Sequence, residues 1–450
     1  MAEKLYAGFA KAKVKPPMGI NVPGYFSNRW SDGFITDLFL HATAFQCGET
    51  RAIVFCTDAI GIYEGAYKAI RDKIVEKIGI DPNSVYICCT HSHTSFRITN
   101  PSAENTSDDA IFMRRLHQEF VDLAQFAFED LKPVEDVKIA SGIAKDVGFI
   151  RRYRLKDGSC KTNPPTGSPD LVSFDGVQDE SLQLVRIVRE NASEILFVNF
   201  GTHPDVIGGT KYCADWPGFT RDFIIGALGN DTNVMMVVGP QGDSNHINRF
   251  LPKGVALQKL DRARQMARIL AGETLKIYDD AVSVPHGKIS FANKIVEVGT
   301  NPFDPADVPE AKEIHAIYAK CQDSSNPEFK KYKLNVPEAL RIVRLLDGPK
   351  SFFLQVSALQ IGNIAFVGFP GEPFTEIGLK VKEGSKMTMT VCSCITNGGQ
   401  GYFPTAAAFA EKGYERSTSS YAHDVAQKLI DAALELIDGM EVIEPEAIEE

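Results

Sequence analysis

Ser84–Thr90 (SVYICCT) is a run of β-branched, aromatic and thiol side chains that ends on His91-Ser92-His93-Thr94-Ser95. A short, nearly continuous apolar run of this kind reads as a buried strand, and the histidines stand just past its carboxyl end. Five further runs share the character: Arg51–Asp58 (RAIVFCTD), Glu194–Phe200 (EILFVNF), Asn233–Gly239 (NVMMVVG), Asn363–Phe369 (NIAFVGF) and Met387–Thr396 (MTMTVCSCIT). Apolar character without clean alternation is what a sheet covered on both faces produces. Helical patterns lie between the runs, clearest over Glu64–Ile78, Asp108–Leu131, Leu257–Tyr278, Pro309–Cys321 and Ser417–Ile437. Strands alternating with helices predict an α/β fold, a mixed and mainly parallel sheet flanked by helices. No internal repeat and no low-complexity linker is legible, so residues 1–450 read as one domain.

The polar residues collect where the strands stop. Glu194–Phe200 runs into Gly201-Thr202-His203-Pro204-Asp205, and Asn233–Gly239 into Pro240-Gln241-Gly242-Asp243-Ser244-Asn245-His246. Asn363–Phe369 runs into Pro370-Gly371-Glu372-Pro373, and Met387–Thr396 into Asn397-Gly398-Gly399-Gln400-Gly401-Tyr402. In open α/β sheets ligands bind at the carboxyl ends of strands, so a metal site is expected there. His91 and His93 are two residues apart, and in an extended continuation their rings share one side. Such a pair offers a metal two ligands, or one ligand with a base beside it; a capping or core pair is the alternative. Glu372 reads either as a charge at a helix N-terminus or as a ligand. Taken together, His, His203 and Glu372 from three strand ends form an N/O set suited to catalytic zinc with a position open for water. Asp243, Asn245 and His246 read as partners that orient ligands or as a helix N-cap. His41, His117, His286, His315 and His423 lack companions and read as structural.

Composition bounds the rest. With 44% hydrophobic and 24% charged residues, the 450-residue chain is an ordinary globular one. Its net charge of −10 argues against a nucleic-acid partner. The acidic stretch Glu441–Glu450 reads as a solvated tail. Residues 1–20 lack a signal peptide's apolar region, and no apolar stretch approaches the roughly 18 residues of a spanning helix. A cytoplasmic location is expected, with the nine cysteines reduced. Cys88/Cys89 and Cys392/Cys394 sit within strand-like runs and read as buried thiols rather than zinc ligands. Phe149–Asp179, rich in Pro, Gly and Arg, reads as a long ordered loop. Asn301–Pro309 and Ser324–Pro327 read as surface excursions.

The same residues resemble a known pattern. The chain is similar to the neutral/alkaline ceramidase family over most of its length, through Tyr6–Pro16, Asp37–Leu40, Asp58 and Thr90-His91-Ser92-His93. The likeness continues through Arg151, Gly201-Thr202-His203-Pro204, Asp215-Trp216-Pro217-Gly218, Gly242-Asp243, Pro370-Gly371-Glu372, and Tyr402 with Tyr414-Glu415. The resemblance implies one ceramidase-like catalytic domain over residues 1–450. It implies zinc held by His91, His203, Glu372 and Tyr402, with His93 as base and Arg151 and Tyr414 facing the substrate. Without it, Tyr402 reads as an aromatic in a Gly-rich loop. The implied activity is a zinc-dependent hydrolase that cleaves an amide (N-acyl) bond with metal-activated water. Two departures bear on the substrate. Thr94-Ser95-Phe96-Arg97 stands where ceramidases carry a Gly/Pro-rich turn, and neither the signal peptide nor the C-terminal β-sandwich of the secreted members is expected here. Arg151, Arg152 and Arg154 suggest a small polar or anionic substrate, solvated arginines being the alternative. Other readings of the same site are a carbohydrate deacetylase or esterase, a polyol lyase or isomerase, and a non-catalytic protein with a structural metal. The oligomeric state is open.

Overall fold

A computed structural model of the chain describes residues 3–411 and 413–444, so residues 445–450 of the expected acidic tail lie outside it. Three successive stretches fold alike. The first runs β1 (Leu5–Val14), β2 (Leu38–Cys47), β3 (Thr50–Thr57), α1 (Glu64–Ile78), β4 (Val85–Cys89), α2 (Asp108–Glu129). The second runs β5 (Lys132–Ile143), β6 (Ser181–Arg189), β7 (Ile195–Phe200), α3 (Asp215–Leu228), β8 (Asn233–Val238), α4 (Lys259–Tyr278). The third runs β9 (Ile289–Gly299), an insertion with α5 (Val308–Cys321) and α6 (Val336–Leu346), then β10 (Ser351–Ile361) and β11 (Ile364–Gly368). It ends with α7 (Thr375–Gly384), β12 (Met389–Ser393) and α8 (Val425–Asp438). In each unit three strands form an antiparallel meander, and the fourth pairs parallel with the third across a helix. A repeat is therefore present after all. It is one of topology, which alike hydrophobic patterns can produce without alike residues.

The first two units join edge to edge in the order β8-β7-β6-β5-β1-β2-β3-β4. Their seam, β1 against β5, consists of Tyr6 opposite Pro133 and Ala7 opposite Lys132. The third unit forms its own sheet, β9-β10-β11-β12. Between the sheets lies a core that includes Phe45, Val54, Phe197, Met235, Leu359 and Phe366. Helices α1 to α4 cover the other face of the large sheet, and α7 and α8 that of the small one. The layers are thus helix, sheet, sheet, helix, with a small satellite cluster under α5 and α6.

The expected mixed α/β sheet with flanking helices is what forms. The six strands read from the sequence pair only in parallel with one another, β3 with β4, β7 with β8 and β11 with β12. The other six make the antiparallel ladders, which outnumber the parallel ones over both sheets. Several of these strands leave one face to solvent, with Ile295 and Phe353 56% and 59% exposed, and so lack a continuous apolar run. Three helices, α3, α6 and α7, lie outside the helical patterns legible in the sequence. The expected loop Phe149–Asp179 holds a three-stranded sheet with Arg152–Leu155 between Cys160–Thr162 and Leu171–Phe174. The helix expected over Ser417–Ile437 starts only at Val425; before it, Tyr421 bridges to Thr300 and its hydroxyl donates to Gln400 O at 2.5 Å. The expected excursion at Asn301 is anchored, since Asn301 is buried and donates to Ser419 O at 2.9 Å.

Past β12, the segment Cys394–Asn397 ties the units together. Cys394 N donates to Val238 O at 2.9 Å, Cys89 N to Ile395 O at 3.2 Å, and Asn397 N to Ile87 O at 2.9 Å. Asn397 Oδ1 accepts from Ile87 N at 2.8 Å, and its Nδ2 donates to Ser357 at 2.9 Å. Its φ of 57° is left-handed, a conformation that asparagine tolerates better than most residues. We expect Asn397→Ala to lower the unfolding free energy by about 2–4 kcal/mol, from two lost hydrogen bonds plus backbone strain. Asn397→Gly should lose roughly 1 kcal/mol less, because glycine accepts that φ. Denaturant midpoints at unchanged m-value measure both; equal losses would show that the backbone contributes nothing.

Candidate metal centre

Each unit sends one donor to a common point. His91 is the second residue past β4, and its φ of 65° turns the chain inward. The loop is pinned by His91 N to Ala59 O at 2.9 Å, His93 N to Pro204 O at 3.0 Å, and Ser92 Oγ to Cys213 O at 2.7 Å. His203 follows β7, its amide donating to Ser244 O at 3.3 Å. Glu372 follows β11, where Glu372–Pro373 pairs parallel with Tyr402–Phe403 and so brings Tyr402 alongside. Gly242 makes this approach possible: a Cβ there would lie 2.4 Å from Glu372 O.

The distances suit an ion. Glu372 Oε2 lies 3.4 Å from His91 Nε2 and 3.1 Å from His203 Nε2. Two ligand atoms each about 2.1 Å from one tetrahedral ion stand roughly 3.4 Å apart. Both imidazoles are turned the same way. His91 Nδ1 lies 2.6 Å from Ile60 O, and His203 Nδ1 2.8 Å from Gln241 O. A carbonyl on Nδ1 holds the proton there and leaves the Nε2 lone pair free for a metal. His203 Nε2 and Glu372 Oε2 are buried without a hydrogen-bond partner. Buried lone-pair atoms of this kind call for an electrophilic partner, and a divalent cation satisfies both together. Burial raises the Glu372 carboxyl pKa, but His91 and His203 outweigh it and hold it well below its usual range.

His93 completes a group with His91 and His203 whose donor atoms all lie within 4.8 Å. Its Nε2 is 3.3 Å from His91 Nε2, and its buried Nδ1 has no partner. Burial, and then His91, hold it well below the ordinary imidazole pKa. Tyr25 stands 5.3 Å from the ring, and Arg29 donates to His93 O at 2.6 Å. The Tyr402 ring stacks on His203 at 6.2 Å, and Tyr414 meets Tyr402 edge-on at 5.7 Å. Burial, and next the Glu372 charge, push the Tyr402 hydroxyl well up, so its phenolate requires a cation beside it. Burial pushes Tyr414 up to about 12.

Arg151 lies 5.3 Å from the Tyr402 centroid and 5.8 Å from that of Tyr414. Its Nε donates to the fully buried Glu415 at 2.7 Å and its Nη2 to Gly242 O at 2.7 Å. Arg152 pairs with Asp175 at 2.9 Å, and Arg154 with Asp175 at 2.5 Å and Glu411 at 2.8 Å. The Arg-rich segment is therefore internally neutralised, which removes it as the source of an anionic preference. Asp243 caps α7 from a distance, its Oδ1 accepting from Thr375 N at 2.7 Å, and burial pushes its pKa up to about 6. Asn245 binds Asn163 at 2.9 Å, and His246 Nδ1 lies 3.3 Å from Asp205. Among the described residues, neither the cysteines nor the five other histidines enter a metal-capable group, and the cysteines are unpaired.

A cavity of about 520 Å³ opens over the centre, with His91, His93, Glu372, Tyr402 and Tyr414 in its wall. Tyr25, Arg97 and Arg344 also line it, and none of them was singled out from the sequence as a site residue. Arg97 had a signal, as part of the Thr94–Arg97 departure. Tyr25 and Arg344 lie in segments with no chemical pattern of their own.

This is an α/β/β/α sandwich with a metal-capable cluster at the carboxyl ends of its parallel strands. No protein-family model matches the chain, and no curated protein does. Among solved structures, neutral ceramidase from Pseudomonas aeruginosa is similar, with a TM-score of 0.71 and 15% identity over 99% of this chain and 76% of its own. A ceramidase complexed with C2 is similar to the same degree, TM-score 0.71 and 15% identity, over 99% and 77%. The chain has the neutral ceramidase fold.

Purified protein is expected to bind one transition-metal ion per chain, measured by elemental analysis. His91→Ala and His203→Ala should each lower the content at least tenfold, since every ligand contributes to a site of this size. Retained metal in both variants would place the ion elsewhere.

Proposed function

We propose that the protein is a metal-dependent hydrolase of amide (N-acyl) bonds with zinc as its ion. The observation that carries this reading is the convergence of His91 Nε2, His203 Nε2 and Glu372 Oε2, two of them buried and unpartnered. His91, His203 and Glu372 would hold the ion with Tyr402, a nitrogen- and oxygen-rich set that zinc accepts. When bound, zinc supplies a Lewis acid and lowers the pKa of water toward about 7. Ceramide, the substrate in the neighbours' names, is itself an N-acyl compound, which supports the bond class.

The protein's own groups divide the remaining work. His93 is neutral and buried beside the cluster, and no carbonyl fixes its tautomer, unlike those of His91 and His203. That freedom suits a proton carrier: His93 takes a proton from the attacking water and returns it to the leaving amine. Tyr414, kept protonated by burial, donates toward the oxyanion that forms on the acyl carbon, with Arg151 beside it. Glu415 holds Arg151 in place through the 2.7 Å contact.

His93→Ala should keep near-stoichiometric zinc and lose about 10²–10⁴-fold in kcat, the range for removing a general base. His91→Ala should lose metal and activity together. Zinc content measured beside rates on a panel of N-acyl compounds decides it. A metal-free His93→Ala with zinc retained in His91→Ala would reverse the two roles. Full activity in both would end the roles given to the two histidines, and no turnover of any N-acyl compound by the zinc-loaded protein would end the hydrolase reading.

A further inference from the structure

Two arginines in the cavity wall have no counter-charge. Arg97 extends over the ring of Tyr63, 5.1 Å from its centroid, and its Nη1 donates to the Tyr63 hydroxyl at 3.3 Å. Arg344, in the last turn of α6, donates to Ser420 Oγ. Among the described residues neither has a carboxylate within 4.0 Å, whereas Arg151, Arg152, Arg154, Arg186, Arg189 and Arg221 all do. The acid in the same lining is Glu372, which is engaged between two imidazoles. The cavity is thus locally cationic on a chain whose net charge is −10.

We propose that Arg97 and Arg344 form an anion-recognition pair, so that the substrate is an N-acyl compound bearing a carboxylate, phosphate or sulfonate group. The proposal rests on the hydrolase reading above and names its substrate class. Each guanidinium keeps unused N–H donors in a planar fork, the geometry that grips an oxyanion with two hydrogen bonds. Tyr63 and Ser420 orient the forks without neutralising them. A concave wall focuses the positive field and raises the local concentration of anions. Phe26 and Phe352, also in the lining, offer apolar surface to the acyl part. The volume of about 520 Å³ suits a small ligand.

The test uses matched pairs on the zinc-loaded protein. One pair is an N-acetyl amino acid and its neutral amide; N-acetyl phosphoethanolamine and N-acetyl taurine, each against N-acetyl ethanolamine, separate phosphate and sulfonate from carboxylate. At least one anionic member should exceed its neutral partner in kcat/KM by about 10–100-fold, the range of one or two charge-assisted hydrogen bonds. Arg97→Gln and Arg344→Gln should each lower that ratio about tenfold, with unchanged zinc content. Arg344 is exposed and Arg97 half-buried, so the fold should persist, as thermal melting would verify. A binding arm is independent of turnover: calorimetry with an N-methanesulfonyl amino acid, which is not hydrolysed, against its amide. Tighter binding of the acid that weakens in both variants supports the pair, even if no N-acyl compound is cleaved; the latter result would overturn only the hydrolase reading. Hydrolysis without anion preference, together with equal binding of acid and amide, overturns the pair and leaves the hydrolase standing.

Discussion

A carboxylate oxygen held 3.1 and 3.4 Å from two imidazole nitrogens sets the terms for the whole molecule. Each of the three groups belongs to a different unit: His91 to the first, His203 to the second, Glu372 to the third. Two units share a sheet, and the third lies in a separate sheet stacked on it. Nothing in such stacking fixes the slide of one sheet over the other to a few tenths of an ångström, because apolar contacts are not directional. Directional bonds must do so. The Cys394–Asn397 segment supplies them, reaching from β12 to both β8 and β4 through backbone hydrogen bonds. Asn199 adds another, donating to Val237 O at 2.9 Å in its own sheet and to Cys392 O at 3.0 Å in the other. The left-handed φ of 45° at Ile395 is unusual for a β-branched residue. It is tolerated where these bonds over-determine the backbone.

Charge follows the same economy. Glu415 is wholly buried, yet Arg151, Arg152 and Thr162 surround it at 2.7, 3.6 and 2.8 Å. Asp58, at the end of β3, is met by Arg221 at 2.9 Å and by Phe39 N at 2.9 Å. A lone buried charge is strongly unfavourable, so these clusters keep the polar edge of the sheets from collapsing the site. At the cavity wall the compensation stops, and the unpaired arginines there face a space that a ligand can enter.

The sequence was most informative where both faces of a strand are covered. Buried parallel pairs leave no polar alternation, so β3, β4, β7, β8, β11 and β12 were visible as apolar runs. Their carboxyl ends predicted His91, His203 and Glu372 as neighbours, and the structure brings them together. β9 and β10 were not visible, because solvent on one face dilutes the pattern; Phe353 looks out of place until its exposure is known. The Arg151–Arg154 run misled about charge, since Asp175 folds back from the same segment and Glu411 and Glu415 come from far along the chain. Tyr402 was named only through resemblance. Its place beside Glu372 depends on a two-residue parallel bridge that no local pattern announces. Arg344 belongs to the cavity only because an insertion between β9 and β10 folds back over it.

The seam between β1 and β5 is two residue pairs long, although β1 and β2 share ten. During synthesis the stretch from Leu5 to Glu129 can pair all four of its strands and pack both its helices before Lys132 has left the ribosome. The next stretch, to Tyr278, can do the same, and each is rich in contacts close along the chain. Strand pairing in the nascent chain can therefore run unit by unit, while the cores that the units share close only when the units are packed together. His91 is made long before Glu372, so the centre has no complete set of donors until the third unit has been synthesised.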